Sequence, residues 1–284
     1  MLKQTFRHIQ GIGERTERRL WRAGVTCWEY LLDHPTLGSL PPGLRDESRF
    51  ELERSLTALE KRDAQYFITK LPHQLHWRLY PEFSERVAYL DIETTGLGTE
   101  ESMLTVIGLH DGQRPQVYVH GRNLEQFVRD IDTFTLLVTY NGKQFDLPFL
   151  RAKLGIPLNQ AHIDLRYPLA ALGYKGGLKK IEKRLGLERP GLVSQLDGWC
   201  AVVLWRYHER GESGALETLL HYNLEDVVHL PALLAEVYNT SIQQLPFPVE
   251  PVTPPDPPPI PFQPDDSIMR RVLADTGRLP AVGE

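Results

Sequence analysis

The stretch Tyr89-Leu90-Asp91-Ile92-Glu93-Thr94-Thr95-Gly96 sets two carboxylates into an apolar run. Residues two apart project from the same face of a strand, so Asp91 and Glu93 stand side by side while Leu90 and Ile92 enter a core. Neighbouring anions repel each other and resist leaving water unless a cation sits between them. An exposed edge with two solvated acids would look the same, so the surrounding sequence has to decide.

Working outward, RVAYLDIE, SMLTVIGLH and PQVYVHG read as strands separated by glycine or acidic turns. NLEQFVRDI reads as a helix, TLLVTYNG as a buried strand, and LPFLRAKLG as the helix that follows it. Strands in a row, then alternating helices and strands, predict an α/β fold with a mixed sheet flanked by helices. Residues 1–75 instead read as a small helical domain: a helical run from Gly13 to Leu32, the loop LGSLPPGLRD, then ELERSLTALEKRDAQYFITK. Beyond 240, ten of the 22 prolines lie between Pro246 and Pro264, which predicts an extended connector. A short helix in DDSIMRRVLADTG follows, capped by Asp or Ser and stopped at Gly277. That helix has to dock on the body or find a protein partner. The division is therefore 1–75, 76–240 and 241–284.

The 284 residues, 41% hydrophobic and 24% charged, suffice for one well-buried core and a smaller appendage. No apolar run approaches the roughly 20 residues of a membrane helix, and MLKQTFRHIQ lacks the apolar heart of a secretory signal, so a cytoplasmic protein without a membrane partner is expected. Cys27 and Cys200 lack the spacing of a disulfide framework or a zinc site. A net charge of -5 neither requires nor excludes nucleic acid, because what matters for phosphate binding is where the cations cluster.

Two further stretches carry acids. In Val138-Thr139-Tyr140-Asn141-Gly142-Lys143-Gln144-Phe145-Asp146-Leu147-Pro148 a buried strand ends in an Asn-Gly turn, and Asp146 follows at the strand-to-helix junction. Asp146 could equally cap the helix around Pro148. The third stretch, His221-Tyr222-Asn223-Leu224-Glu225-Asp226, lies in sequence with helical spacing. On a continuous helix Tyr222 lies about 40° from Asp226 and His221 about 140° away, so Tyr222 faces the same way as the acid. His221 reaches the site if the chain before Asn223 is still a loop; the helix-favouring GALETLLHYN favours Tyr222. Asp164, in AHIDLR, is left outside the site as a structural cap.

The order LDIETTGL, YNGKQFDLPFL, YNLEDV resembles the acidic motifs of the ribonuclease-H-like exonuclease superfamily, in which four acids (Asp, Glu, Asp, Asp) bind two metals. The middle motif is similar to the proofreading exonuclease of family-B DNA polymerases. With the trailing GGLKKIEKRLGL, residues 85 to 240 look most like the YprB-type ribonuclease-H-like proteins. The resemblance implies a metal-dependent 3′-to-5′ exonuclease. Asp91, Glu93, Asp146 and Asp226 would hold two divalent ions, Mg²⁺ or Mn²⁺, because hard oxygen ligands suit these and not zinc. Asp91, Glu93 and Asp226 would hold the ion that activates water, Asp91 bridging to the second and Asp146 completing that site. Tyr222 would orient the water.

The expected substrate is nucleic acid with a single-stranded or frayed 3′ end. In Leu178-Lys179-Lys180-Ile181-Glu182-Lys183-Arg184-Leu185 the leucines and Ile181 form a buried stripe, leaving Lys179, Lys180 and Lys183 outward as a cationic rim. Asn141 and Lys143, beside Asp146, join these predicted nucleic-acid-binding residues. Gly11-Ile12-Gly13 resembles a helix-hairpin-helix turn, whose backbone N–H groups meet a phosphate. A same-fold endonuclease and a non-catalytic nucleic-acid-binding adaptor, with the proline tail as its partner-binding arm, are the alternatives.

Overall fold

Strand β1 (Val87–Thr94) is central in a five-stranded sheet because alternate residues meet a core on each side. The computed structural model describes residues 1–35, 40–98, 100–187 and 189–278. The sheet order is β3-β2-β1-β4-β5, with β2 (Leu104–His110), β3 (Pro115–Val119), β4 (Leu136–Thr139) and β5 (Ala161–Asp164). β1–β2 and β2–β3 are antiparallel, whereas β1–β4 and β4–β5 are parallel. The antiparallel strands follow one another along the chain, while the parallel strands need crossovers, here α6 (Leu124–Asp130) and α7 (Asp146–Leu154).

Ala88, Leu90 and Ile92 pack with Leu137, Phe127, Phe149 and Leu150 under α6 and α7. Val87 and Tyr89 face the other way and join Leu136, Val138 and Ile163 in a second core. A sheet covered on both faces has no place for solvated side chains, and that is what makes Asp91 and Glu93 conspicuous. They lie on the second face, against helix α11 (Ala215–Val228).

The same core runs on into the N-terminal region, whose helices are α1 (Glu14–Arg22), α2 (Trp28–Asp33), α3 (Pro42–Glu60) and α4 (Ala64–Ile68). The run expected as one helix from Gly13 to Leu32 is broken at Gly24, whose φ of 85° is left-handed. The loop expected at LGSLPPGLRD falls partly on residues 36–39, outside the described residues. From Pro42 onward it is already α3, because proline is preorganised for a helix's first turn. A 3-10 stretch, His73–Leu79, and α5 (Tyr80–Phe83) lead into β1. There Arg78, lying over the rings of Trp21 and Trp77, pairs with Glu17 at 2.9 Å and ties α1 to the 3-10 stretch that precedes the sheet.

After β5 come α8 (Arg166–Ala171), α9 (Leu178–Arg184), α10 (Gly198–Glu209), α11 and α12 (Leu230–Ile242). The proline stretch is then strapped back: Asn239 exchanges two 2.9 Å hydrogen bonds with the backbone of Val252, and Phe247 packs edge-on against Trp21. Helix α13 (Asp266–Asp275) is capped by Asp265, whose carboxylate accepts from Ser267 N and Ile268 N. It is docked, burying Ile268, Met269, Val272 and Leu273 in a third core with α10 and α11.

Candidate active site

Three separate parts of the chain converge at the C-terminal half of β1. Asp91 and Glu93 come from the strand, Asp146 from the first residue of α7, and Tyr222 and Asp226 from one face of α11. One carboxylate oxygen from each of Asp91, Glu93 and Asp226 lies within 4.8 Å of the others, and Asp146 lines the same cleft of about 590 Å³. Asn141, Phe145 and Tyr222 complete its walls.

These acids are buried among their own kind. Burial pushes the carboxyls of Asp91 and Glu93 well above the usual range, and the charges of Asp226 and Asp146 push them further. Asp146 is pushed up to about 7, again chiefly by burial, with Asp164 and Asp226 adding and backbone N–H groups opposing. A donor set of hard carboxylate oxygens, without histidine or thiolate, whose repulsion is only partly offset by Arg189 and Lys179, fits a hard divalent cation.

The turn carrying Asn141 owes its shape to Asp164. That carboxylate accepts from the backbone N–H groups of Asn141 (2.8 Å), Lys143 (3.1 Å) and Arg166 (3.0 Å), which fixes Asn141 at a φ of 68°. Asp164 therefore supports the cleft without lining it. Lys143 turns out of the cleft toward His73, 2.5 Å from its Nε2.

Helix α11 is regular from Ala215, so it has begun well before Asn223. Tyr222 points into the cleft, where burial and the carboxylates of Asp226 and Glu93 hold its phenol well above its ordinary pKa. His221 points away. Its Nδ1 donates to Phe262 O at 2.9 Å and its Nε2 lies 3.3 Å from Glu225. Burial opposes its charge, yet Glu225 and that carbonyl raise its pKa overall.

The cationic rim differs from the expected arrangement. Lys180 and Lys183 are exposed or nearly so, but Lys179 is turned inward rather than outward. Its ammonium sits 4.6 Å from the centre of the Tyr222 ring and donates to Leu196 O, and burial lowers its pKa. Of the three lysines, Lys179 therefore packs behind Tyr222, while Lys180 and Lys183 line a neighbouring pocket with Glu182 and Arg189. Gly11 and Gly13 are exposed, Gly13 as the N-cap of α1, and they do not line the acid cleft.

Several contributors are not singled out by the sequence, although Asn223 sits inside the third motif. Asn223 donates to Asp91 Oδ2 at 2.9 Å, and Arg189 Nη2 lies 2.5 Å from Asp226 Oδ1. Trp199, 50% exposed, and Leu97, 87% exposed, flank the cleft mouth as apolar surfaces. Leu97 closes the first acidic motif, LDIETTGL, so an apolar residue on a turn was the available signal. For Arg189 there was none.

A family model described as the RNase_H superfamily matches residues 88–238, more than half of the chain and the span holding all four acids. No curated protein matches. Among solved structures, the family B DNA polymerase from the hyperthermophilic archaeon Pyrobaculum calidifontis is similar at 21% identity, over 57% of this chain and 26% of that one. Its TM-score of 0.44 is too low to carry an argument about function. The chain belongs to the ribonuclease H superfamily, and its acid cleft lies within the matched span.

Proposed function

We propose that this chain is a divalent-metal-dependent nuclease that removes nucleotides from a single-stranded or frayed 3′ end. The observation that carries it is the convergence of the Asp91, Glu93 and Asp226 carboxylates within 4.8 Å, with Asp146 in the same buried cleft. The direction of attack rests on the resemblance of the three acidic motifs to 3′-to-5′ exonucleases.

Asp91, Glu93, Asp146 and Asp226 would hold two Mg²⁺ or Mn²⁺ ions. Bound there, the ions supply Lewis acidity toward the attacking water and the departing 3′ oxygen. Asn223 keeps the Asp91 carboxylate in place. Tyr222, whose proton is held by burial among anions, orients the water through its hydroxyl rather than accepting a proton. Trp199 and Leu97 make the cleft mouth apolar.

Phosphates of the incoming strand meet Lys180 and Lys183, with Asn141 in the cleft wall; Lys143, turned toward His73, meets a phosphate only outside the cleft. The N–H groups at Gly11 and Gly13 serve as a more distant backbone anchor, and a Gly13→Glu change should then weaken nucleic-acid binding. The working location is the cytoplasm, where Cys27 and Cys200 stay free thiols. The exposed prolines of 246–264 offer a surface for a protein partner. The division at 75/76 and 240/241 is likewise a proposal, read out by where limited proteolysis cuts first.

The test is incubation with labelled single-stranded DNA and RNA, linear and circular, with Mg²⁺ or Mn²⁺ and with chelator. Stepwise shortening from the 3′ end that stops with chelator or in Asp226→Ala is the expected result. Cleavage of the circle would make it a same-fold endonuclease; binding without turnover would make it an adaptor.

A further inference from the structure

Arg189 lies in the short segment after α9, in the buried space behind the acid cleft. Its Nε and Nη2 donate to Glu182 Oε2 and Oε1, both at 2.9 Å, and Nη2 also reaches Asp226 Oδ1 at 2.5 Å. Glu182 is held in turn by His229, whose Nδ1 lies 3.1 Å from its Oε1. The side chains of Arg189 and Glu182 are each 2% exposed.

We infer that Arg189 is a positioning residue for Asp226: it claims Oδ1 and leaves Oδ2 as the oxygen offered toward Asp91 and Glu93. The inference rests on the metal-site reading above. Glu182 already matches the guanidinium's charge, so the buried pair adds almost no net charge to the site. At 2.5 Å the guanidinium gives Asp226 a local charge partner and, through its plane, a direction. A carboxylate on a helix rotates freely about its last bond, and among like charges it would swing away from Asp91 and Glu93. One planar donor group, locked by Glu182 along the same edge, fixes that rotation.

The experiment is Arg189→Lys, which keeps the charge and loses the planar edge. Mn²⁺ affinity is read by electron paramagnetic resonance, and the unfolding midpoint is read separately in EDTA. The expected result is Mn²⁺ binding weakened about 10–100-fold, the range typical of partners that orient a metal ligand. Mn²⁺ affinity within about twofold of wild type, with a lowered midpoint, would mean a structural tie and overturn the inference. If Arg189→Lys does not fold, His229→Gln reads the same chain from its more exposed outer end. Weakened Mn²⁺ binding there supports the inference, and unchanged binding overturns it. Wild-type protein that binds no Mn²⁺ at all would instead remove the metal-site reading, and this inference with it.

Discussion

Gly108 and Asn223 occupy one space: a Cβ on Gly108 would lie 2.2 Å from Asn223 Oδ1. Gly108 pairs with Asp91 across β1 and β2, so the missing side chain opens the gap through which Asn223 reaches Asp91 Oδ2. The glycine is needed here for room, not for its backbone freedom. Gly108→Ala should destabilise the fold by about 1–3 kcal/mol through overpacking. It should also cut divalent-dependent turnover at least about tenfold by displacing Asn223. Chemical denaturation and a cleavage assay check the two halves; an alanine variant with wild-type turnover would show that Asn223 does not matter for Asp91.

Glu93→Gln should move activity and stability in opposite directions. Removing a ligand lowers turnover by more than about a hundredfold, beyond the range for outer partners. In EDTA the same change relieves repulsion among buried acids. The unfolding free energy should then rise by roughly 1 kcal/mol or more, since each unit of upward pKa displacement is worth about 1.4 kcal/mol. A metal-free midpoint that falls would mean that Glu93 is stabilised by something other than its neighbours.

The two neighbours at the start of the third motif should separate cleanly. Tyr222→Phe is expected to keep the fold and lose about 10²-fold in kcat, the lower end of what a positioned proton-handling group contributes. His221→Ala should leave kcat unchanged while weakening the strap at Phe262 by about 0.5–1.5 kcal/mol. The reverse pattern in steady-state kinetics would hand the role to His221.

Metal and pH should interact in thermal unfolding. Asp146, at about 7 in the fold against an ordinary 3.8, contributes stability when protonated; that contribution is present below about pH 3.8 and lost as pH rises through 7. Burial lowers His8 and His76 to about 4, so their contribution is present above pH 6.5 and lost as pH falls toward 4. In EDTA the midpoint should peak at mildly acid pH and decline on both sides. Saturating Mn²⁺ should flatten the alkaline side alone, because the ions take over the charge of the carboxylates. An alkaline side indifferent to Mn²⁺ would count against an ion at these acids.

Nucleic-acid affinity should fall linearly on a log–log plot against salt. Lys180→Ala and Lys183→Ala should each flatten that slope by about 0.7 for every single-strand phosphate left without its cation. Neither should change the midpoint of unfolding, since neither side chain is buried. An unaltered slope would return them to the role of a solvated helix face.

How much of the molecule is readable from sequence depends on the distance over which a residue's reason for being there acts. The β1 acids are legible because alternation is local: Leu90 and Ile92 fix the face, and Asp91 and Glu93 follow. Tyr222 follows from helical geometry once the helix is taken to begin early. Lys179 reads as outward and lies inward, because the helical wheel of a seven-residue helix says nothing of how the helix lies against its neighbours. Arg189 is invisible, since its partners lie 7 and 37 residues away and no periodicity joins them. The docking of α13 is undecidable for the same reason: its apolar stripe is plain, but the groove that receives it is made by α10 and α11.

The strap from α12 through the prolines to α13 has a practical side. Helix α11 is gripped from both flanks, Tyr222 and Asp226 toward the acids, His221 and Thr218 toward Phe262 and Asp265. Anything that pulls on the stretch from Pro246 to α13, such as a protease nick in the proline run, is thereby mechanically connected to the helix that carries Tyr222 and Asp226 through a few hydrogen bonds. The strap works as a guy-line for the acid cleft.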